Sequence, residues 1–266
     1  MKKKIETAEL KEIQLNILKE VDSFCKLNNI NYWIDCGTLL GAIRHKGYIP
    51  WDDDIDIGML RPDFDRFLQL FNDYSSRYKA YSNENKKDFY YAHGKVLDLT
   101  TELYEPDETG LKLSVNIDVF VYDNAPDSDR KVKKMYKRRN TFRTLNIIRN
   151  TGISSRRFLR RIIIKIIKVL LKIFPRDFFV KKMIKNSKKY ADKETKRVGN
   201  FTSYSEIVVD KSVFNNFIEV EFEGGKYPAP IGYDKWLTAF YGNYMELPPL
   251  EKRMSHHEFV AYKTVE

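Results

Sequence analysis

Cysteine is scarce: Cys25 and Cys36 are the only two among 266 residues, and no CxxC spacing exists. That excludes a disulfide scaffold and a cysteine zinc site, and it fits a reducing compartment. Long apolar runs are missing as well. In the most aliphatic stretch, residues 156–177, no uninterrupted apolar run exceeds three residues, whereas a membrane-spanning helix needs about 20 predominantly apolar ones. The basic start Lys2-Lys3-Lys4 runs into IETAELKEI and not into an apolar segment, so no secretory signal is read and a cytoplasmic address is expected. Zinc-finger, RNP-type and helix-turn-helix signatures are absent, so nucleic acid is not an expected partner. What remains, 42% hydrophobic, 14% aromatic and 32% charged, is neither collagenous nor low-complexity nor wholly disordered. The length suits one domain with a large insertion or two small ones.

Acid is nearly lacking in one block. Residues 128–198 hold 25 Lys and Arg against 4 Asp and Glu, while the rest of the chain holds 22 against 33. The net charge of +10 therefore hides a bipolar molecule, and so one-sided an excess points to a polyanionic partner. Within the block, Arg157, Arg161, Lys165, Lys168 and Lys172 fall on one stripe of a helix whose remaining positions are aliphatic or aromatic. Two uses fit that pattern: an amphipathic helix over 156–176 lying on an anionic membrane surface, or a helix packing its wide apolar face on the core. The first is the reading preferred here, with the chain attached peripherally to the cytoplasmic face.

Elsewhere the periodicity alternates between helix and strand. Leu10, Ile13, Ile17, Leu18, Val21 and Phe24 predict a helix over 6–27, and residues 62–78 a second. Strands are expected at 32–36, 54–59, 89–99 and 114–122, and a late helix near 233–241. The fold class is thus α+β: a mixed sheet with flanking helices at 1–125, a basic helical insertion at 126–200, and a segment at 201–266 that packs back on the first part.

The chemistry concentrates at Asp52-Asp53-Asp54-Ile55-Asp56, four carboxylates in five residues among apolar neighbours. On a strand Asp54 and Asp56 share a face roughly 7 Å apart, and packed carboxylates need a cation or basic groups to offset their repulsion. Mg²⁺, with Mn²⁺ as the alternative ion, takes such oxygen ligands and bridges them to substrate phosphates. Asp118, in NIDVFVY, supplies a third carboxylate from another strand. Upstream, Gly37-Thr38 stands at a strand-to-helix junction, where free amides make a phosphate cradle.

A Gly-Thr turn, then Asp54-Ile55-Asp56, then Ile117-Asp118-Val119 is similar to the layout of the nucleotidyltransferase superfamily. More specifically, residues 34–67, Lys95 in AHGKVLDLTT, NIDVFVYD and residues 227–257 resemble the LicD family, which includes bacterial phosphocholine transferases and is related to the fukutin group. The resemblance covers both ends of the chain and is silent across the basic insertion. It implies a metal-dependent phosphotransferase that moves a substituent such as phosphocholine from a CDP-activated donor to a hydroxyl of a cell-surface glycan or its lipid-linked precursor. Asp54, Asp56 and Asp118 would be both catalytic and metal-holding. Gly37, Thr38, Arg44, His45, Lys95, Arg253 and His256 are then the candidates for the donor phosphates, with guanidinium groups binding bidentately. Lys46 reads as a surface position, and Trp33, Trp51 and Tyr48 as core or pocket wall. Attack on the α-phosphate of a nucleoside triphosphate, a glycosyltransferase using the same DxD, and an inactive membrane-associated scaffold are the competing readings. The donor's alcohol and the accepting hydroxyl are not readable.

Overall fold

A computed structural model of the chain describes residues 2–104, 113–150, 158–253 and 260–264. The chain opens with β1 (Lys2–Lys4) and α1 (Thr7–Asn28). Leu10, Ile13, Ile17, Leu18, Val21 and Phe24 are all buried, as an apolar stripe at helical spacing requires. Asn29 ends the helix in the left-handed region, at φ 51°. Next come β2 (Trp33–Ile34), α2 (Cys36–His45), β3 (Asp56–Leu60), α3 (Arg61–Tyr74), β4 (Tyr78–Tyr81), β5 (Gly94–Asp98), β6 (Thr101–Tyr104) and β7 (Asn116–Ala125). The basic stretch forms α4 (Asp129–Asn150), α5 (Phe158–Leu171) and α6 (Phe178–Ser187). Then follow β8 (Arg197–Gly199), β9 (Val208–Asp210), the hairpin of β10 (Phe217–Phe222) and β11 (Gly225–Pro230), α7 (Tyr233–Tyr241) and β12 (Val260–Thr264).

The architecture is α+β, built on a mixed sheet. Its main path is β2-β3-β7-β5-β4, with β8 on β7 and β9 on β8. β3 and β7 run parallel and the other pairs antiparallel. β7 is long enough to pair with β5 over Asn116–Val119 and with β8 over Asp123–Ala125. β1, β12 and β6 make a small second sheet.

Three expectations about elements need correction. The helix read over 62–78 stops at Tyr74, because Tyr78–Tyr81 alternates buried and half-buried as a sheet-edge strand does, and the Asn72 side chain bridges both the amide and the carbonyl of Ala80. The strand read over 89–99 begins only at Gly94. The strand read over 54–59 begins at Asp56, and Asp56 to Met59 are all buried. The polar–apolar alternation of 54–59 predicts a half-buried strand, but both faces are covered: Ile57 belongs to the core that α1 and α3 roof, while Trp33 beside it is met by Phe214 and Phe217, and Tyr122 by Phe214 and Trp236.

That second layer leaves no room at Gly58. It pairs with Trp33 across β2 and β3, and a Cβ there would lie 2.4 Å from the indole ring. Gly58→Ala should therefore cost about 3 kcal/mol, the upper range for overpacking a core, read as a lowered urea midpoint. An unchanged midpoint would mean that the indole can move aside.

α4 and α6 pack on each other and reach the first part of the chain at Ala125 and Tyr90. Val132, Met135 and Tyr136 bury against Ala125, Tyr190 and Phe201. Deeper in, the Arg61 guanidinium donates to both oxygens of fully buried Asp123, at 2.8 and 3.0 Å, and to Glu84 at 2.9 Å. Ser187, at the end of α6, donates its hydroxyl to the same Asp123 carboxylate. One buried charge thus joins α3, β7 and α6.

Candidate active site

The parallel register sets Asp56 beside Asp118, and the antiparallel one sets Asp118 beside Lys95. Directly paired residues project on the same side of a sheet, so these three side chains form a row across β3, β7 and β5. Asp54 lies two residues before Asp56 and outside the strand. Thr38, expected at a phosphate, is buried instead, and its hydroxyl accepts the Asp56 amide at 2.8 Å. It fastens α2 to the start of β3. A Cβ at Gly37 would lie 2.4 Å from Asp52 Oδ2, so a side chain there requires the Asp52 carboxylate to move aside.

The row is electrostatically divided. Burial pushes the Asp56 carboxyl well up, and repulsion from Asp54, Asp118, Asp35 and Asp52 pushes it further. Burial would raise Asp118 too, but the Lys95 ammonium and His93 outweigh it and hold Asp118 far below the usual carboxylate range. Lys95 Nζ lies 2.6 Å from Asp118 Oδ1 and 3.0 Å from Asn116 Oδ1, and His93 Nε2 lies 3.1 Å from Asp118 Oδ2. Lys95, expected at the donor phosphates, is thus engaged by Asp118. His93 went unnoticed in the sequence. Its signal was the two-residue spacing to Lys95, which puts both on one side of an extended chain.

Repulsion among the carboxylates around Asp56 is what a bound cation relieves, and carboxylate oxygens are the donors that Mg²⁺ prefers. Among the described residues no three His, Cys, Asp or Glu side chains assemble into a metal-binding group. Lys95 donates to Asp118 Oδ1, and His93 Nε2 stands 3.1 Å from Oδ2. Asp54 and Asp56 therefore fit a cation that completes its shell with water and substrate oxygens, the way Mg²⁺ is usually held.

Beside the row opens a cleft of about 520 Å³, bordered by Gly37, Asp52, Arg44, Trp51, Tyr241 and Tyr244 among others. Arg44 donates from Nη1 to the Tyr244 and Glu246 carbonyls, at 2.8 and 3.2 Å. Burial lowers its pKa, and the nearby Arg253 charge lowers it further. Arg253 stacks its guanidinium 5.5 Å from the Trp51 ring centre and donates to the Pro248 carbonyl at 2.8 Å. Arg44 at the cleft and Arg253, 209 positions later and stacked on the cleft wall at Trp51, thus come near one another. His45 lies half-exposed next to Arg44, with burial and then the Arg44 charge depressing its imidazole below the usual range. Lys46 is exposed and Trp33 is core. His256 lies outside the described residues.

Sequence reasoning also missed the clamp behind the cleft. Asp35 is fully buried and accepts from the Tyr122 hydroxyl and, at 2.8 Å, from Trp236 Nε1. Its neighbour Cys36 opens α2 with φ at 46°, a conformation that costs a non-glycine residue about 1 kcal/mol or more. The late helix α7 therefore holds the turn that presents Gly37.

A family model described as LicD/FKTN/FKRP, nucleotidyltransferase domain, matches residues 29–151. The lipopolysaccharide cholinephosphotransferase LicD of Haemophilus influenzae is 31% identical over 98% of this chain and 99% of its own length. The ribitol 5-phosphate transferase FKRP of Homo sapiens is 46% identical over 41 residues, which is 15% of this chain and 8% of that protein. An uncharacterised protein of Rickettsia typhi is 45% identical over 26% of this chain and 22% of its own.

Proposed function

The chain belongs to the LicD family, and from that premise we propose that it transfers a phospho-substituent such as phosphocholine from a CDP-activated donor to a hydroxyl of a cell-surface glycan or its lipid-linked precursor. The full-length relative from Haemophilus influenzae is named for cholinephosphate transfer to lipopolysaccharide, and FKRP for transfer of ribitol 5-phosphate. Both names describe a substituted phosphate moved as a unit.

The observation that carries the reading is a cleft the size of a small-ligand site, bordered by Asp52 and Arg44 and close enough to Asp56 for that charge to act on the bordering Tyr241. Asp54 and Asp56 would hold Mg²⁺, which when bound neutralises charge on the donor diphosphate. Arg44 and Arg253 bind the remaining phosphate oxygens, since guanidinium groups recognise them bidentately. Trp51, Tyr241 and Tyr244 give the donor's organic part flat walls. Asp118 holds Lys95 and His93 at the edge of the row, where His93 can take or return the acceptor hydroxyl proton. Thr38 positions Asp56 through the strand amide.

A donor panel tests this. The purified chain, with Mg²⁺ and a membrane glycan preparation, is offered CDP-choline, CDP-ethanolamine, CDP-glycerol, CDP-ribitol and the nucleoside triphosphates. Release of CMP from one CDP-alcohol, with label arriving on the glycan, is the expected result. Pyrophosphate released from a triphosphate would show α-phosphate attack and overturn the proposal. Arg44→Ala should raise the donor KM about tenfold or more, because charge-assisted contacts contribute roughly 1.5–3 kcal/mol. An unchanged KM would remove Arg44 from the donor site.

A further inference from the structure

The outer face of α5 and the turn after it is apolar and uncovered. Ile162, Ile163, Ile166, Val169, Leu170 and Ile173 are between 39% and 80% exposed. At about 100° per residue they occupy an arc of roughly 120°. Ile164, Ile167 and Leu171, on the opposite side, are half-buried, and α4 is the helix packed beside α5. Lys165, Lys168 and Lys172 border one edge of the exposed arc. From residue 130 to residue 176 there are 17 Lys and Arg and no Asp or Glu.

We infer that this face is a docking surface for an anionic lipid bilayer, on which α5 lies flat with its aliphatic arc in the interface and its lysines at the lipid phosphates. Charge decides the occupant. A second copy of the chain would bring two acid-free, lysine-edged segments together, whereas an anionic surface complements them. Length decides the orientation. Fourteen residues make a helix of about 21 Å at 1.5 Å per residue, short of the roughly 30 Å hydrocarbon core. No helix among the described residues is long and apolar enough to cross a membrane. A strongly two-faced helix with lysines flanking its apolar arc is the interfacial type.

The attachment reaches the site through α4. Near the end of α4, Arg149 donates to the Phe174 carbonyl and Asn150 to that of Arg176, just past α5. One turn earlier, Asn146 donates to the Tyr90 carbonyl at 3.1 Å, in the segment that leads to His93. α4, which supports the lipid-facing α5, thus also grips the loop delivering His93 to Asp118.

Vesicle co-sedimentation of the full chain, with neither donor nor acceptor present, tests the inference apart from the phosphotransferase reading. Vesicles of phosphatidylcholine alone are compared with vesicles containing phosphatidylglycerol. Partitioning should rise about tenfold or more with the anionic lipid and fall as salt is added. The K165E/K172E and I163S/I166S/L170S variants should each lose about tenfold or more of that binding with melting temperature unchanged, since all five side chains are exposed. Failure of the wild-type chain to bind anionic vesicles, or equal binding by either variant, overturns the inference. So would a wild-type dimer in light scattering that the serine variant converts to a monomer, because the face would then join two copies.

Discussion

Asp56→Asn is expected to lower turnover by at least about 10²-fold, the scale of removing one transition-state contact, while leaving the chain at least as stable as wild type. The two effects share one cause. Asp56 is buried and repelled by Asp54, Asp118, Asp35 and Asp52, so its negative charge opposes folding in the absence of a cation. An amide keeps the shape and removes the repulsion, and every 1 kcal/mol released should raise Tm by roughly 2–4 °C in a chain of this size. Asp54→Asn should show the same loss of turnover with a smaller change in Tm, because Asp54 is only half-buried at the mouth of the strand. Thermal melting in chelator and steady-state assays with added Mg²⁺ read both quantities. Wild-type turnover after exhaustive chelation, or in Asp56→Asn, would sink the metal assignment.

The second large effect comes from a pair that does not border the cleft. Arg61→Met should destabilise the chain by about 3–5 kcal/mol, because it strips a fully buried carboxylate of its bidentate partner. Asp123 would keep only the Ser187 hydroxyl among its side-chain donors. Since Ser187 ends α6, the loss should loosen α6 from β7 and show first as faster amide exchange there. The double variant Arg61→Met/Asp123→Leu should recover much of the loss, as replacing both members of a buried ion pair with apolar groups often does. Equal urea midpoints for the single and double variants would show that the charge on Asp123 is tolerated without its arginine.

Local pattern made part of this molecule legible in advance. The stripe from Leu10 to Phe24 dictated α1, since a helix that buries one face must repeat its apolar residues every 3.6 positions. The same rule exposed the two-sided character of 162–173. The density of carboxylates at 52–56 pointed to the candidate site, because acid among apolar residues demands compensation wherever it folds. Sequence alone therefore determined where a helix forms, where charge gathers and which family the chain resembles. It did not determine pairing. His93 and Lys95 against Asp118, Trp236 against Asp35, Arg253 beside Arg44, and Arg61 in the grip of Asp123 link residues from 23 to 209 positions apart. Each depends on strand order and register, which come from the whole chain's burial and leave no periodic trace in either partner's neighbourhood. The same reason explains why the length of α3 and the start of β5 were misread, and why only the fold decided that Asp118 faces a lysine and a histidine.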